Sequence, residues 1–259
     1  MRALILAAGR GSRLHPYTAD CPKCLTELGG RSLLSRQIEA LRGAGADDIV
    51  IATGYRAEAL ALPGTRQVHN ADWETTNMVE TLFCAEALFG DDLIVSYSDI
   101  VYETRVVNAL LDSPHDISVV IDTGWRAYWE IRFENPLDDA ESLRLDAAGR
   151  IIDIGSKVDN FERIEAQYIG LMRFRGAGIR ALRDAYAGLR RVRRPWMTQR
   201  PVEKAYMTDL LMEIILTGND VYAVPVANGW LEIDTVSDFE TAVAMFADGT
   251  IRRFFDPVA

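Results

Sequence analysis

A glycine-rich turn, a solitary lysine and two strand-end aspartates are the residues here whose types and spacing can do chemistry. Gly9-Arg10-Gly11-Ser12-Arg13 directly follows the apolar run Ala3 to Ala8. Glycines let a backbone approach a polyphosphate closely and turn its N–H groups toward the oxygens, while Arg13 can add a two-pronged charge-assisted contact. The same glycines also suit an ordinary turn. Leu14 stands where a dinucleotide-binding fingerprint needs its third glycine, and no P-loop sequence occurs, so hydride transfer and P-loop chemistry both lose support.

Lys23 follows ten residues after Arg13, in a segment rich in turn signals. Only three of the 28 basic residues are lysines, Lys23, Lys157 and Lys204, so each stands against a background that otherwise uses arginine. A flexible ammonium at Lys23 can reach the same phosphates as a point charge. Cys21 and Cys24 flank it as a C-x-x-C pair. A redox motif should open a helix after a strand, and structural zinc needs four ligands; with one further cysteine and three scattered histidines, neither context is present. Asp99 closes the apolar run Leu93 to Ser98, and Asp234 closes Trp230-Leu231-Glu232-Ile233 in the same fashion. Two carboxylates delivered to one sheet edge suit a hard divalent cation such as Mg²⁺, which takes its other ligands from water and phosphate. Either aspartate alone would also serve as a helix cap, and Thr235-Val236-Ser237-Asp238 is itself a helix-start signature.

Parallel strands and crossover helices would position these groups. Arg2 to Ala8, Ile49 to Thr53, Leu93 to Tyr97 and Ile117 to Asp122 read as buried strands. Between them lie helical patterns at Leu34, Ile38 and Leu41, at Met78, Leu82, Ala85 and Phe89, and at Val106 and Leu110. This alternation predicts an α/β fold with a Rossmann-like, mixed but mostly parallel sheet and helices on both faces, and it puts ligands beyond the carboxyl ends of the strands. After Gly124 the pattern changes. A hairpin over Ser142–Leu145 and Ile151–Ile154, a longer strand over Ala166–Phe174, and strands over Val221–Val226 and Trp230–Ile233 bring in antiparallel pairing. Helices are expected near Ala177–Leu189 and Ala205–Leu216, with a closing helix marked by Phe239, Val243 and Phe246. The four arginines between Leu189 and Pro195 read as a solvated helix end and loop. One domain is expected over 1–259, in two halves that divide at this change of pattern, about 1–122 and about 123–259.

Composition narrows the classes. The 259 residues are 49% hydrophobic and 25% charged, as in a folded globular protein. The net charge of −10 repels a phosphate backbone and argues against nucleic acid as a partner. No run approaches a membrane span, the first apolar run is too short for a signal peptide, and three cysteines are too few for a disulfide scaffold, so a cytoplasmic location is expected.

Leu6-Ala7-Ala8-Gly9-Arg10-Gly11-Ser12-Arg13-Leu14, then Pro22-Lys23, Asp99 and Glu232-Ile233-Asp234, together resemble the signature of the sugar-phosphate nucleotidylyltransferase superfamily. The likeness runs over essentially the whole chain and is nearest to the branch that activates phosphocholine. Asn135 to Glu141, Glu165 to Gly170 and Tyr206-Met207-Thr208 further resemble the enzymes that transfer CMP to phosphoglutamine in bacterial capsule modification. The resemblance implies the nucleotide-diphospho-sugar transferase fold and transfer of CMP from CTP to a small phosphorylated or phosphonate acceptor. It also implies roles. Ala7, Ala8, Gly9, Gly11 and Ser12 would line the base and phosphates, Arg13 and Lys23 would hold the triphosphate, and Asp99 and Asp234 would bind Mg²⁺. Asn77 and Met78 match the segment near base and ribose. Lys157 falls where sugar-transferring relatives hold the acceptor phosphate, although Val158 replaces their usual proline.

The resemblance implies a nucleotide-binding half over about 1–122 and an acceptor half over about 123–259, and the acceptor half offers two sets of contacts. Trp125, Tyr128 and Trp129, with Glu130 beside them, supply aromatic faces and a carboxylate for an ammonium group, or simply packing. Arg132, Glu165, Gln167 and Tyr168 suit the charged ends of an amino acid. An acceptor phosphate is already anionic at neutral pH, so no general base is required. Two other activities fit the same residues: nucleotidyl transfer to a sugar 1-phosphate, and nucleotide binding without turnover. Nothing in the sequence assigns an oligomeric state.

Overall fold

The alternation of apolar side chains on the first strand decides the layering. In β1 (Arg2–Ala7), Ala3, Ile5 and Ala7 point into one hydrophobic cluster while Leu4 and Leu6 point into another. A strand buried on both faces reads as a continuous apolar run, and it must have cover on both sides. The computed structural model, which describes residues 1–191 and 201–258, has this arrangement.

The first half of the chain supplies a short hairpin, β2 (Glu27–Leu28) and β3 (Arg31–Ser32), then α1 (Leu33–Gly43), β4 (Asp48–Thr53), β5 (Arg66–His69), α2 (Met78–Cys84), β6 (Asp92–Tyr97), β7 (Ile100–Tyr102), α3 (Thr104–Asp112) and β8 (Ile117–Asp122). The second half supplies α4 (Trp125–Arg132), β9 (Glu141–Leu145), β10 (Ile151–Lys157), β11 (Gln167–Arg175), α5 (Ala177–Arg191), α6 (Met207–Leu216), β12 (Tyr222–Val226), β13 (Trp230–Glu232) and α7 (Val236–Asp248). The central sheet has seven strands in the order β12-β8-β11-β6-β1-β4-β5. Its pairs are parallel except those of β11, which runs antiparallel to both β6 and β8. Buried residues of α1, α3, α4 and α7 cover one face, and those of α2, α5 and α6 cover the other. The expected mixed, mostly parallel sheet with helices on both faces is therefore present. No helix among the described residues is long and apolar enough to cross a membrane.

The structure departs from the sequence reading in four places. The expected hairpin forms β9 and β10 but stands apart as a two-stranded ribbon. The strand before Asp234 does not join the central sheet; β13 pairs antiparallel with β7, with Glu232 opposite Ile100. The helix that starts at Met78 closes at Cys84 and continues as a 3-10 turn over Glu86–Leu88, leaving Phe89 buried beyond it. The aromatic stretch after β8 is the helix α4, whose buried face carries Trp125, Tyr128, Trp129 and Arg132 at the three- and four-residue spacing of a helical stripe. Of the arginine-rich stretch, residues 192–195 lie outside the described residues; Arg190, in α5, bonds the Tyr186 hydroxyl at 2.7 Å.

Trp125 is 5% exposed and meets Trp129 edge to face, with ring centroids 5.8 Å apart, and Phe161 at 6.3 Å. Truncating a packed aromatic removes its transfer energy and leaves a cavity. Trp125→Ala should therefore lower the unfolding free energy by about 3–5 kcal/mol in urea titration; a loss under about 1 kcal/mol would show that the ring is not part of the core.

Candidate active site

The glycine turn, Lys23 and both aspartates meet at the carboxyl end of β1, although the chain brings them from four places. Gly11 has φ +70°, a left-handed conformation that glycine adopts freely. A Cβ built on it would stand 2.5 Å from Lys23 Cβ. The turn therefore packs directly on the lysine stem and directs the ammonium inward. Lys23 Nζ donates to Asp99 Oδ2 at 2.9 Å and to Asp234 Oδ1 at 2.6 Å. Arg13 reaches the other oxygen of Asp234 at 2.5 Å from a side chain that is 70% exposed. The two aspartates face each other because β7 and β13 pair just beyond them, and the Ile233 N–H donates to the Asp99 carbonyl at 2.8 Å. Burial pulls the pKa of Lys23 down, but the two carboxylates more than reverse this and leave it above the ordinary lysine value.

A cavity of about 270 Å³ opens above this cluster. Ala7, Ala8, Gly9, Gly11, Ser12 and Arg13 form one side, Lys23, Asp99 and Asp234 its floor, and Asn77 and Met78 the start of the opposite helix. Trp73, Thr76 and Thr81 also line it, and the sequence reading did not single them out. Asn70 organises that wall: its amide donates to the hydroxyls of Thr76 and Thr81, both at 3.0 Å, and its carbonyl accepts from Asp72 N. The wall follows β5, a polar edge strand whose residues are largely exposed, so no apolar run marks it. Asn77 caps α2, its side chain accepting from Met78 N at 2.9 Å.

A second cavity, of about 250 Å³, adjoins the first and shares Arg13, Met78, Asp99 and Asp234 with it. Trp129, Gln167 and Tyr168 line it, as do Tyr97, Asp139, Glu141, Tyr206, Thr208 and Glu232. Gln167 is fixed by its own bonds, donating to the Glu141 carbonyl at 2.7 Å and accepting from Glu141 N at 3.2 Å. Burial pushes the Glu232 carboxyl up to about 7 against the pull of Arg132, and Asp99, Asp139 and Asp234 add to the rise.

Four residues expected at the acceptor lie away from these cavities. Trp125 belongs to the core, because the helical phase of α4 turns it inward toward Phe161. Arg132 is buried beneath the second cavity, paired with Glu232 and Asp238. Lys157 is exposed on β10, where the separate β9–β10 ribbon carries it outward. Glu165 is exposed and accepts from Leu145 N at 3.2 Å, so it ties that ribbon down.

The glycine turn at the sheet edge, the buried ammonium between two carboxylates and the two cavities with a common wall lie together in a fold that known nucleotidyltransferases share. The chain belongs to the MobA-like NTP transferase domain family, whose model matches residues 3–195. It is 38% identical over 254 residues to the CTP:phosphoglutamine cytidylyltransferase of Campylobacter jejuni subsp. jejuni, covering 94% of this chain and 99% of that relative. Its fold is shared with the CTP:phosphocholine cytidylyltransferase of Streptococcus pneumoniae, at TM-score 0.70 and 20% identity over 95% of this chain and 98% of that one. The inositol-1-phosphate CTP transferase of T. maritima likewise gives TM-score 0.70 and 20% identity, covering 93% and 94%.

Among the described residues, no three His, Cys, Asp or Glu side chains gather to hold an ion. Cys24 lies against the first cavity, and burial pushes its thiol up to about 12. A thiol reacts through its thiolate. In native protein at pH 8, iodoacetamide should accordingly modify exposed Cys84 and leave Cys24 intact until the chain unfolds. Peptide mass spectrometry reads this directly, and fast native labelling of Cys24 would contradict the inert assignment.

Proposed function

We propose that the chain is a Mg²⁺-dependent cytidylyltransferase that moves CMP from CTP to a small phosphorylated or phosphonate acceptor of the phosphoglutamine, phosphocholine or aminoethylphosphonate kind. The observation that carries this reading is the shared wall. Arg13, Met78, Asp99 and Asp234 line both cavities, so two ligands held there meet over the same charged groups. The full-length likeness to a phosphoglutamine cytidylyltransferase supports CTP and this acceptor class.

The donor set fits the metal. Asp99 and Asp234 converge on one cation already, and Asp99 Oδ1 is buried with no hydrogen-bond partner. With only two protein carboxylates, an ion there would complete its shell from phosphate and water, as Mg²⁺ does. Bound by them, Mg²⁺ supplies charge neutralisation and orientation for the phosphate oxygens.

The chain's own groups account for the remainder. The backbone of Gly9 to Arg13 offers N–H groups to the triphosphate, and Lys23 and Arg13 offset its charge. An anionic acceptor oxygen attacks the α-phosphorus in line. Its new P–O bond forms as the bond from that phosphorus to the bridging oxygen breaks, and the electron pair leaves with pyrophosphate. No proton is removed from the nucleophile, so alignment and charge stabilisation carry the rate. In the second cavity, Asp139, Glu141 and Glu232 beside Trp129 and Tyr168 suit an ammonium through charge and ring faces.

Pyrophosphate release should be seen with CTP and one of these acceptors, and should fall about 100-fold or more in Asp99→Asn and in Asp234→Asn, each still folded by circular dichroism. Release with sugar 1-phosphates alone would move the assignment to sugar activation. Silence with every nucleoside triphosphate and acceptor would leave a nucleotide-binding module.

A further inference from the structure

The reading above makes Asp234 a metal ligand, and the structure holds that residue through a buried ion pair that sequence motifs do not mark. Arg132 sits at the end of α4 with its side chain 2% exposed. Its guanidinium touches Glu232 Oε2 at 2.6 Å, Asp238 Oδ1 at 2.9 Å and Asp238 Oδ2 at 3.4 Å. The rings of Tyr128, Trp129 and Phe133 surround it, with centroids 5.4, 5.1 and 4.9 Å from the guanidinium carbon.

Asp238 passes this contact on. Its Oδ2 accepts from Asp234 N at 3.1 Å, Thr235 N at 2.8 Å and Thr235 Oγ1 at 3.0 Å. On the other side of the same segment, the Tyr128 hydroxyl donates to the Glu232 carbonyl at 3.0 Å and accepts from Glu232 N at 3.1 Å. Residues 232–235 are thus gripped by α4 and α7, and the segment between the grips is the one that presents Asp234 to Lys23. An arginine fork holds two carboxylates in set directions, whereas an ammonium attracts them as a point charge.

We propose that Arg132 is a positioning residue: acting through Asp238, it sets the backbone of Asp234 and, through Glu232, couples the floor of the acceptor-side cavity to the metal-binding carboxylate. It touches neither substrate cavity itself. Partners one step removed from a metal ligand commonly change affinity or activity by about 10- to 100-fold when replaced.

The inference rests on the metal reading, so the test separates the two. The measurement is Mn²⁺ binding to the intact protein with CTP and no acceptor, read by water proton relaxation, beside melting temperature and turnover at saturating metal. Asp234→Asn should abolish the protein-bound Mn²⁺ signal. Arg132→Lys and Asp238→Asn should each raise the Mn²⁺ concentration for half occupancy by about tenfold or more. Both should stay folded, and turnover in Arg132→Lys should recover partly when Mn²⁺ is raised, a response that a purely structural role would not give. Parent-like Mn²⁺ binding in Arg132→Lys and Asp238→Asn, with the signal lost in Asp234→Asn, would overturn the positioning role alone. Parent-like binding in Asp234→Asn would overturn the metal reading and this inference with it. Unfolding of both charge-pair variants at the assay temperature would also overturn it, by making the pair a requirement of the fold.

Discussion

Two carboxylates from segments far apart in sequence share one buried ammonium, and much of the site's construction follows from keeping them together. At separations of about 5 Å and an effective dielectric near 20, two bare carboxylates repel by about 3 kcal/mol. Lys23 bonds both Asp99 and Asp234, and its charge turns that repulsion into attraction. The ammonium depends in turn on Gly11, whose missing side chain leaves room for the lysine stem. The carboxylates depend on the β7–β13 ribbon, which sets their backbones side by side. A short turn, a two-stranded ribbon and one cation are enough to assemble a charged centre from four places in the chain.

The position of β11 explains why a second cavity lies beside the first. This strand enters the sheet antiparallel, between β6 and β8. Its amino-terminal residues Gln167 and Tyr168 therefore come to the same edge as the carboxyl ends of the parallel strands. Gly170 has φ +85°, and a Cβ there would stand 2.7 Å from the Tyr97 ring. The irregular register between Tyr168 and Met172 thus lets Tyr97 and Tyr168 meet edge to face, at 5.6 Å between centroids, in the cavity wall. A wholly parallel continuation would have turned that end of the strand away from the carboxyl ends of its neighbours.

The parts legible in the sequence are those where one local signal suffices. The apolar strands β1, β4, β6 and β8 are continuous runs because both of their faces are covered, and the glycine turn, Lys23 and the strand-end aspartates announce themselves by type. Three features were not legible, each for a physical reason. Strand β5 is a polar edge, so the Trp73 to Thr81 wall that follows it had no apolar marker. The aromatic residues of α4 are equally suited to a ligand cage and to a core, and only the direction of the helix turns Trp125 inward while Trp129 reaches the cavity. Arg132 pairs with residues about 100 positions away, a contact that spacing cannot encode.

The division between Lys23 and Arg13 shows why this arginine-rich chain keeps a lysine at its centre. Both contact Asp234, one on each oxygen, yet the lysine side chain is 10% exposed and the arginine 70%. A compact ammonium can sit between two carboxylates in a narrow space and donate to both, whereas a planar guanidinium needs room for its fork. Packed against Gly11, the narrow space at Lys23 admits the point charge. Arg13 stands at the open rim, where its guanidinium can leave Asp234 with little desolvation cost. Under the proposed function, its departure toward a triphosphate would free Asp234 Oδ2 for the divalent cation, to which the unpartnered Asp99 Oδ1 would be the second carboxylate donor.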